Sequence, residues 1–177
     1  AVALSGDWQA TERFDVQTLF SAVDSDMEYG YDEDWAFPEI CSGLPCDGWA
    51  YSSKDNYLRD SDNRVIDIKL VSSQPIEFLA AQLDWVAGVY ARDQDEQLLR
   101  QYTYNTRDFG SDFDTSNRAV YGQFELSLTD RTTLVTGLRF ERRDAGYNDS
   151  DGVVHRVDEN LVGGRLAVQY KPDQSSM

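Results

Sequence analysis

Residues 120–144 read VYGQFELSLTDRTTLVTGLRFERRD. Val120, Gly122, Phe124, Leu126 and Leu128 alternate with Tyr121, Gln123, Glu125 and Ser127. After the polar link TDRT, Leu134, Thr136, Leu138 and Phe140 alternate with Val135, Gly137, Arg139 and Glu141. Successive side chains on a strand point to opposite faces, so each run has an apolar side and a more polar side. Joined by so short a link, the two runs make a hairpin. Such a hairpin fits two environments. In a soluble protein the apolar side meets a core and the polar side meets water. In a membrane barrel the apolar side meets lipid and the other faces a hydrated lumen.

Pairing must keep both apolar sets on one side of the sheet, which fixes the parity of the register. One register of that parity sets Leu128 opposite Leu134, Phe124 opposite Leu138 and Gly122 opposite Phe140, where a ring can cover bare backbone. It also sets Tyr121 opposite Glu141 and Gln123 opposite Arg139.

The same period recurs along the chain. Phe14, Val16, Thr18, Phe20 and Ala22 oppose Asp15, Gln17, Leu19 and Ser21. Ile66, Ile68 and Leu70 oppose Asp67 and Lys69. Gly164, Leu166, Val168 and Tyr170 oppose Gly163, Arg165, Ala167 and Gln169. Residues 83–91, LDWVAGVYA, are apolar on both sides and cannot be oriented from pattern alone. Residues 1–5 read as the tail of one more strand. Between these strands the links alternate short and long: 6–12 and 129–132 are short, 73–82 is moderate, and 26–62, 93–117 and 144–160 are expected as long outer loops. Short links at one end and long loops at the other is the habit of an up-and-down outer-membrane barrel. Helix signals are weak: PIEFLAAQL at 75–83 suits one helical turn after Pro75, and DQDEQLLRQY at 93–102 suits a short helix within a loop.

Composition agrees with an all-β chain. Among 177 residues there are 10 Tyr, 8 Phe and 4 Trp, types that favour strands. The formal net charge of -16 argues against nucleic acid as a partner, because phosphate binding needs a basic footprint. No apolar run reaches the roughly 18 residues of a membrane helix, and no signal-peptide pattern is present. A barrel strand needs only about 9–11 alternating residues, so the membrane stays open as an environment. The chain begins in strand-like sequence and stops just after a strand, as expected of a segment cut from a longer barrel.

Cys41 and Cys46, in CSGLPC, are the only cysteines. Their spacing is too wide for a CxxC redox motif, and with a single His the chain lacks zinc ligands. With Gly43 and Pro45 to turn the chain, the pair reads as a small disulfide stapling the loop in an oxidising compartment, the other reading being two reduced thiols.

No catalytic constellation emerges. His155 has neighbouring carboxylates but no serine in a nucleophile elbow, and no glycine loop for phosphate appears. The acidic stretches DSDMEYGYDEDW (24–35) and NDSDG (148–152) invite calcium. Aligning Gly152 with the EF-hand glycine puts Tyr147 at the first ligand position, however, so they read as solvated loops without a metal site or cofactor. The best binding candidates are the aromatics flanking the cysteines: Tyr29, Tyr31, Trp35, Trp49 and Tyr51. Exposed rings stack on sugars or on siderophore rings. The plainer readings are that they pack the loop on itself or join an interfacial girdle.

Four segments resemble the barrels of TonB-dependent outer-membrane receptors. LDWVAGVYARD (83–93) resembles their Trp-x-x-Gly-x-Tyr strand. IDIKLVSS (66–73) resembles the strand before it. VYGQFELSLTDRTTLVTGLRFERRD resembles the following hairpin, and LVGGRLAVQYKPDQSSM (161–177) the strand after that. Asp67, Lys69 and Phe140 stand where Glu, Arg and Tyr are usual, changes conservative in size or charge. The resemblance implies an antiparallel up-and-down meander, a six- to seven-strand sector of a transmembrane β-barrel of about 22 strands. It implies a location in the bacterial outer membrane and no enzymatic role. The partners it implies are outer-membrane lipid, a nutrient ligand such as a siderophore complex, and TonB acting through a plug domain outside this stretch. An isolated sector with open edges is expected to self-associate. The competing expectation is a secreted or surface soluble β-domain that binds glycan or a protein.

Overall fold

The structure, a computed structural model, describes residues 1–33, 53–79 and 81–172. They form one antiparallel sheet of eight strands: β1 Val2–Gln9, β2 Phe14–Asp32, β3 Lys54–Ser72, β4 Ile76–Phe78, β5 Ala81–Tyr102, β6 Phe109–Thr129, β7 Thr132–Asp149 and β8 Val154–Tyr170. The order across the sheet is β1-β2-β3-β5-β6-β7-β8, with the three-residue β4 folded against β5. Strands adjacent in sequence are adjacent in space, which is the meander the alternating pattern implies.

The strands outrun the sequence expectation. β5 and β6 span 22 and 21 residues, about 70 Å each at a rise of ~3.3 Å per residue. The segments expected as long loops are therefore largely strand. β2 runs on to Asp32 and β3 starts at Lys54, so residues 26–32 and 54–60 pair with each other. The 93–117 link shrinks to 103–108, and the 144–160 link to 150–153. Both expected helical pieces are also strand: 76–78 is β4, and 93–102 is the far half of β5. In most of these segments polar side chains occupy both faces, as Asp93, Gln94, Asp95 and Glu96 do on β5, and β4 is too short to show a period. Alternation, the signal that reveals a strand, is then erased, while backbone pairing continues.

The opening hairpin keeps the expected faces but not the expected register. Leu126 pairs with Leu134, Phe124 with Thr136, Gly122 with Leu138 and Val120 with Phe140. Every expected partner is shifted by two residues. The turn is tighter than expected, with Thr129 facing Thr132, and the register shifts between Ser127 and Thr129, which leaves Leu128 as the extra residue. A shift of two preserves parity, so Tyr121 still shares its face with Arg139, now directly opposite.

The two faces differ in exposure. On β3, β5 and β7 the burial alternates residue by residue over long stretches. One face carries Ile66, Val89, Val120, Phe124, Leu138 and Leu166, all exposed, Leu138 by 56% and Leu166 by 75%. The opposite face is more enclosed and carries the two buried apolar side chains of the described residues, Ala119 and Val135. The run LDWVAGVYA is thereby oriented: Trp85, Ala87 and Val89 lie on the apolar face, and Val86, Gly88 and Tyr90 on the enclosed one. A soluble domain of this length buries a sizeable core of its own. Here the largest apolar surface is turned outward.

Candidate functional site

At the end of the sheet away from the tight turns, the enclosed face gathers tyrosines around one ion pair. Asp55 and Tyr57 on β3 share this face with Tyr29 and Tyr31 on β2 and with Arg100 and Tyr102 on β5, because Tyr29 pairs with Tyr57, Tyr31 with Asp55, and Arg100 with Tyr57. The Tyr29 and Tyr57 rings stack, 5.0 Å between centroids and 3° between planes. Tyr31 stands edge-on to both, at 6.0 and 6.2 Å. Edge and face contacts of this kind match the positive rim of one ring to the negative face of another. The Arg100 guanidinium lies over Tyr57 at 5.4 Å and over Tyr102 at 5.3 Å, while Tyr104 packs edge-on against Tyr102.

Arg100 grips Asp55 with two nitrogens. Its Nε donates to Oδ1 at 2.8 Å, and its Nη2 donates to Oδ2 at 2.6 Å. Tyr57 donates its hydroxyl to the same Oδ2 at 2.9 Å. Asp55 is only 2% exposed, so this charge is held by hydrogen bonds rather than by water. The Arg100 bonds outweigh the desolvation and, with the Tyr57 hydroxyl, hold the Asp55 carboxyl below the usual 3.8. The carboxylate in turn pushes the Tyr57 phenol upward and strengthens the charge on Arg100. The ring cluster thus rests on a fixed, charged clamp.

Beside it opens a groove of about 550 Å³, lined by Tyr57, Leu98, Arg100, Arg107, Phe109 and Asp151 among others. Arg107 bridges the two hairpin ends by donating to Asp151 at 2.6 Å. The groove offers aromatic faces, two guanidinium groups and two carboxylates, Asp108 and Asp151. Ring faces stack on flat groups, and guanidinium N–H groups donate to anionic oxygens.

Nearer the tight turns, the same face carries a second network. Tyr121 donates to Asp67 at 2.7 Å. Arg139 lies over Tyr90 at 4.9 Å and pairs with Glu141 at 2.8 Å, and Glu141 accepts from Asn117 at 2.6 Å. Arg92 bonds Asn63 and Gln94. This face is polar and internally cross-linked opposite the apolar band, as a hydrated lumen wall is built.

Of the binding residues singled out from sequence, Tyr29 and Tyr31 come together here. Trp35, Trp49 and Tyr51, with Cys41 and Cys46, lie outside the described residues. Sequence reasoning missed Asp55, Tyr57, Arg100 and Tyr102. One signal was available: Tyr-x-Tyr occurs at 29–31 and again at 102–104, the spacing that puts both rings on one face of a strand. The NDSDG stretch forms the β7–β8 turn, in which Asp149 accepts backbone N–H from Asp151 at 2.9 Å and from Val153 at 3.0 Å, with Gly152 at φ 86°. His155 sits opposite Tyr147 on the exposed edge strand β8.

An antiparallel meander with an exposed apolar band, a cross-linked polar face, tight turns at one end and longer links at the other defines a sector of transmembrane β-barrel wall. The family model for the TonB dependent receptor-like β-barrel matches residues 2–177, and the chain belongs to that family. Among solved structures, it superposes on the ferric yersiniabactin uptake receptor FyuA from Yersinia pestis with a TM-score of 0.74 at 16% identity, covering 97% of this chain and 25% of that one. On the ferric citrate transporter FecA in its unliganded form the TM-score is 0.76 at 14% identity, with 98% and 25% covered. The chain thus spans about a quarter of each receptor. No curated protein matches the sequence.

Proposed function

We propose that this chain forms part of the barrel wall of an outer-membrane transporter that actively takes up a scarce nutrient such as an iron–siderophore complex. The cluster of Tyr29, Tyr31, Tyr57 and Arg100 forms part of its ligand wall. The observation that carries this reading is the stacked Tyr29–Tyr57 pair beside the Arg100–Asp55 clamp and the adjoining groove. Its position on the enclosed face, at the end with the longer links, supports this reading, because the longer loops of an outer-membrane barrel lie on the outside. Family membership supports the transport role, and the two superposed receptors handle ferric chelates by name. Opening of the path belongs to TonB acting on a plug domain, and the wall contributes recognition and enclosure.

Chemistry supports an anionic, ring-bearing chelate over a neutral sugar. Arg100 spends two of its nitrogens on Asp55 and keeps Nη1 for a ligand oxygen, and flat rings suit catechol or phenol groups. The test is binding of ferric citrate and ferric catecholate chelates to the full receptor carrying this wall. Removing the stack with Tyr29→Ala and Tyr57→Ala is expected to weaken binding by roughly 2- to 10-fold per ring. Unchanged affinity for every chelate bound by the unmodified receptor would remove the cluster from the ligand site.

A further inference from the structure

On the apolar face, the band ends toward the long-link end in a pair of like charges. Arg118 on β6 and Arg142 on β7 are directly opposed in register and share that face. Both are exposed. Like charges directly opposite on neighbouring strands destabilise the pairing unless something neutralises them. Arg142 is flanked by Asp158 at 2.8 Å and Asp144 at 3.4 Å. Arg118 makes no hydrogen bond or ion pair among the described residues.

Directly below the pair lies an open groove of about 560 Å³. Its walls on this face are Ile66, Val89, Val120, Phe140 and Val162, and its floor is Ala91, the small residue set between Ile66 and Arg118 in the register. The groove is almost wholly apolar below and carries two arginines at its rim, Arg142 held by Asp144 and Asp158, and Arg118 by no carboxylate among the described residues.

We infer that this is a binding site for a membrane lipid with an anionic phosphate headgroup, the phosphate bridging Arg118 and Arg142 and an acyl chain lying in the groove over Ala91. Two features favour a lipid over free phosphate. The groove is continuous with the apolar band that faces the bilayer. Beyond the arginines, toward the long-link end, the same face turns acidic with Asp93, Asp95, Asp114, Asp144 and Asp158, so an anion approaching from water meets repulsion. A headgroup anchored in the bilayer reaches Arg118, the arginine that no carboxylate holds among the described residues, without crossing that stretch. Guanidinium forks suit phosphate oxygens, and removal of water by the neighbouring chains strengthens the contact.

The experiment is native mass spectrometry of the full receptor carrying this wall, in detergent, with dioleoyl phosphatidic acid or dioleoyl phosphatidylcholine added at equal concentration. The unmodified receptor is expected to retain phosphatidic acid well above phosphatidylcholine. The double variant R118A/R142A is expected to lose about tenfold of that retention, as the loss of a charge-assisted pair requires. Ala91→Trp, which fills the groove and leaves the arginines in place, is expected to lose it too. Arg64→Ala, one rung away on β3, is expected to retain it. Equal retention of both lipids, an undiminished adduct in both R118A/R142A and Ala91→Trp, or release of the lipid by an equal concentration of inorganic phosphate would overturn the inference.

Discussion

Tyr121 on β6 reaches across the whole of β5 to donate its hydroxyl to Asp67 on β3 at 2.7 Å. The ring passes over Gly88, where a Cβ would stand 2.5 Å from the tyrosine Cζ and Oη. Three strands are thereby tied by one side chain, and the tie exists because the middle strand presents bare backbone. The Trp-x-x-Gly-x-Tyr stretch of β5 thus has a local physical meaning. Its glycine is the floor beneath the Tyr121 ring, and its tyrosine, Tyr90, is one of the rings under Arg139.

Gly88→Ala is therefore expected to drive Tyr121 off Asp67 and to destabilise the full receptor by about 1–3 kcal/mol. Tyr121→Phe alone removes only the hydrogen bond, about 0.5–1.5 kcal/mol. If the two act through one contact, the double variant costs less than the sum of the single ones, because the bond lost to the methyl group is already gone. Chemical denaturation of the four proteins in one detergent measures this, and strict additivity would contradict it.

The Asp55–Arg100 clamp carries a pH prediction. The folded carboxyl titrates below 3.8, so its contribution is fully present above that value and is lost as pH falls through the lower folded value. Acidification below 3.8 is expected to loosen the tyrosine cluster, seen as faster amide exchange at Asp55, Tyr57 and Arg100. Asp55→Asn should show fast exchange there at neutral pH and no further step on acidification. An identical acid transition in the variant would place the titrating group elsewhere.

The open edges carry a third prediction. β1 and β8 each pair on one side only among the described residues, and the apolar band is exposed along the sheet. The 177-residue chain by itself in water is expected to self-associate, through edge pairing and apolar contact. Sedimentation measures it, and a monodisperse monomer without detergent would contradict it.

Legibility in the sequence followed the environment of each segment. Where one face is apolar and exposed and the other polar and enclosed, alternation is strong, and the pattern puts Phe124 and Leu138 on one side and Tyr121 and Arg139 on the other, as the register does. Past the apolar band both faces are wet. There Asp93, Gln94, Asp95 and Glu96 carry no period-two signal, and the far half of β5 resembled a helix. Register failed at a single point, because nothing in SLTDRTT marks Leu128 as the extra residue. The tyrosine cluster was half legible. Tyr29 and Tyr31 stood out by composition, but Arg100 meets Asp55 across 45 positions, a closeness that only the pairing of β3 with β5 creates.

The central claim is that the two faces of this sheet meet lipid and lumen. Spin labels placed singly at positions 134–141 of β7, in the full receptor with Cys41 and Cys46 replaced by Ser and reconstituted in bilayers, test it directly. Collision with oxygen should peak at 134, 136, 138 and 140, and collision with a water-soluble nickel chelate should peak at 137, 139 and 141, with 135 shielded from both because Val135 is buried. Two probes rising and falling in phase, or the opposite alternation, would contradict the account.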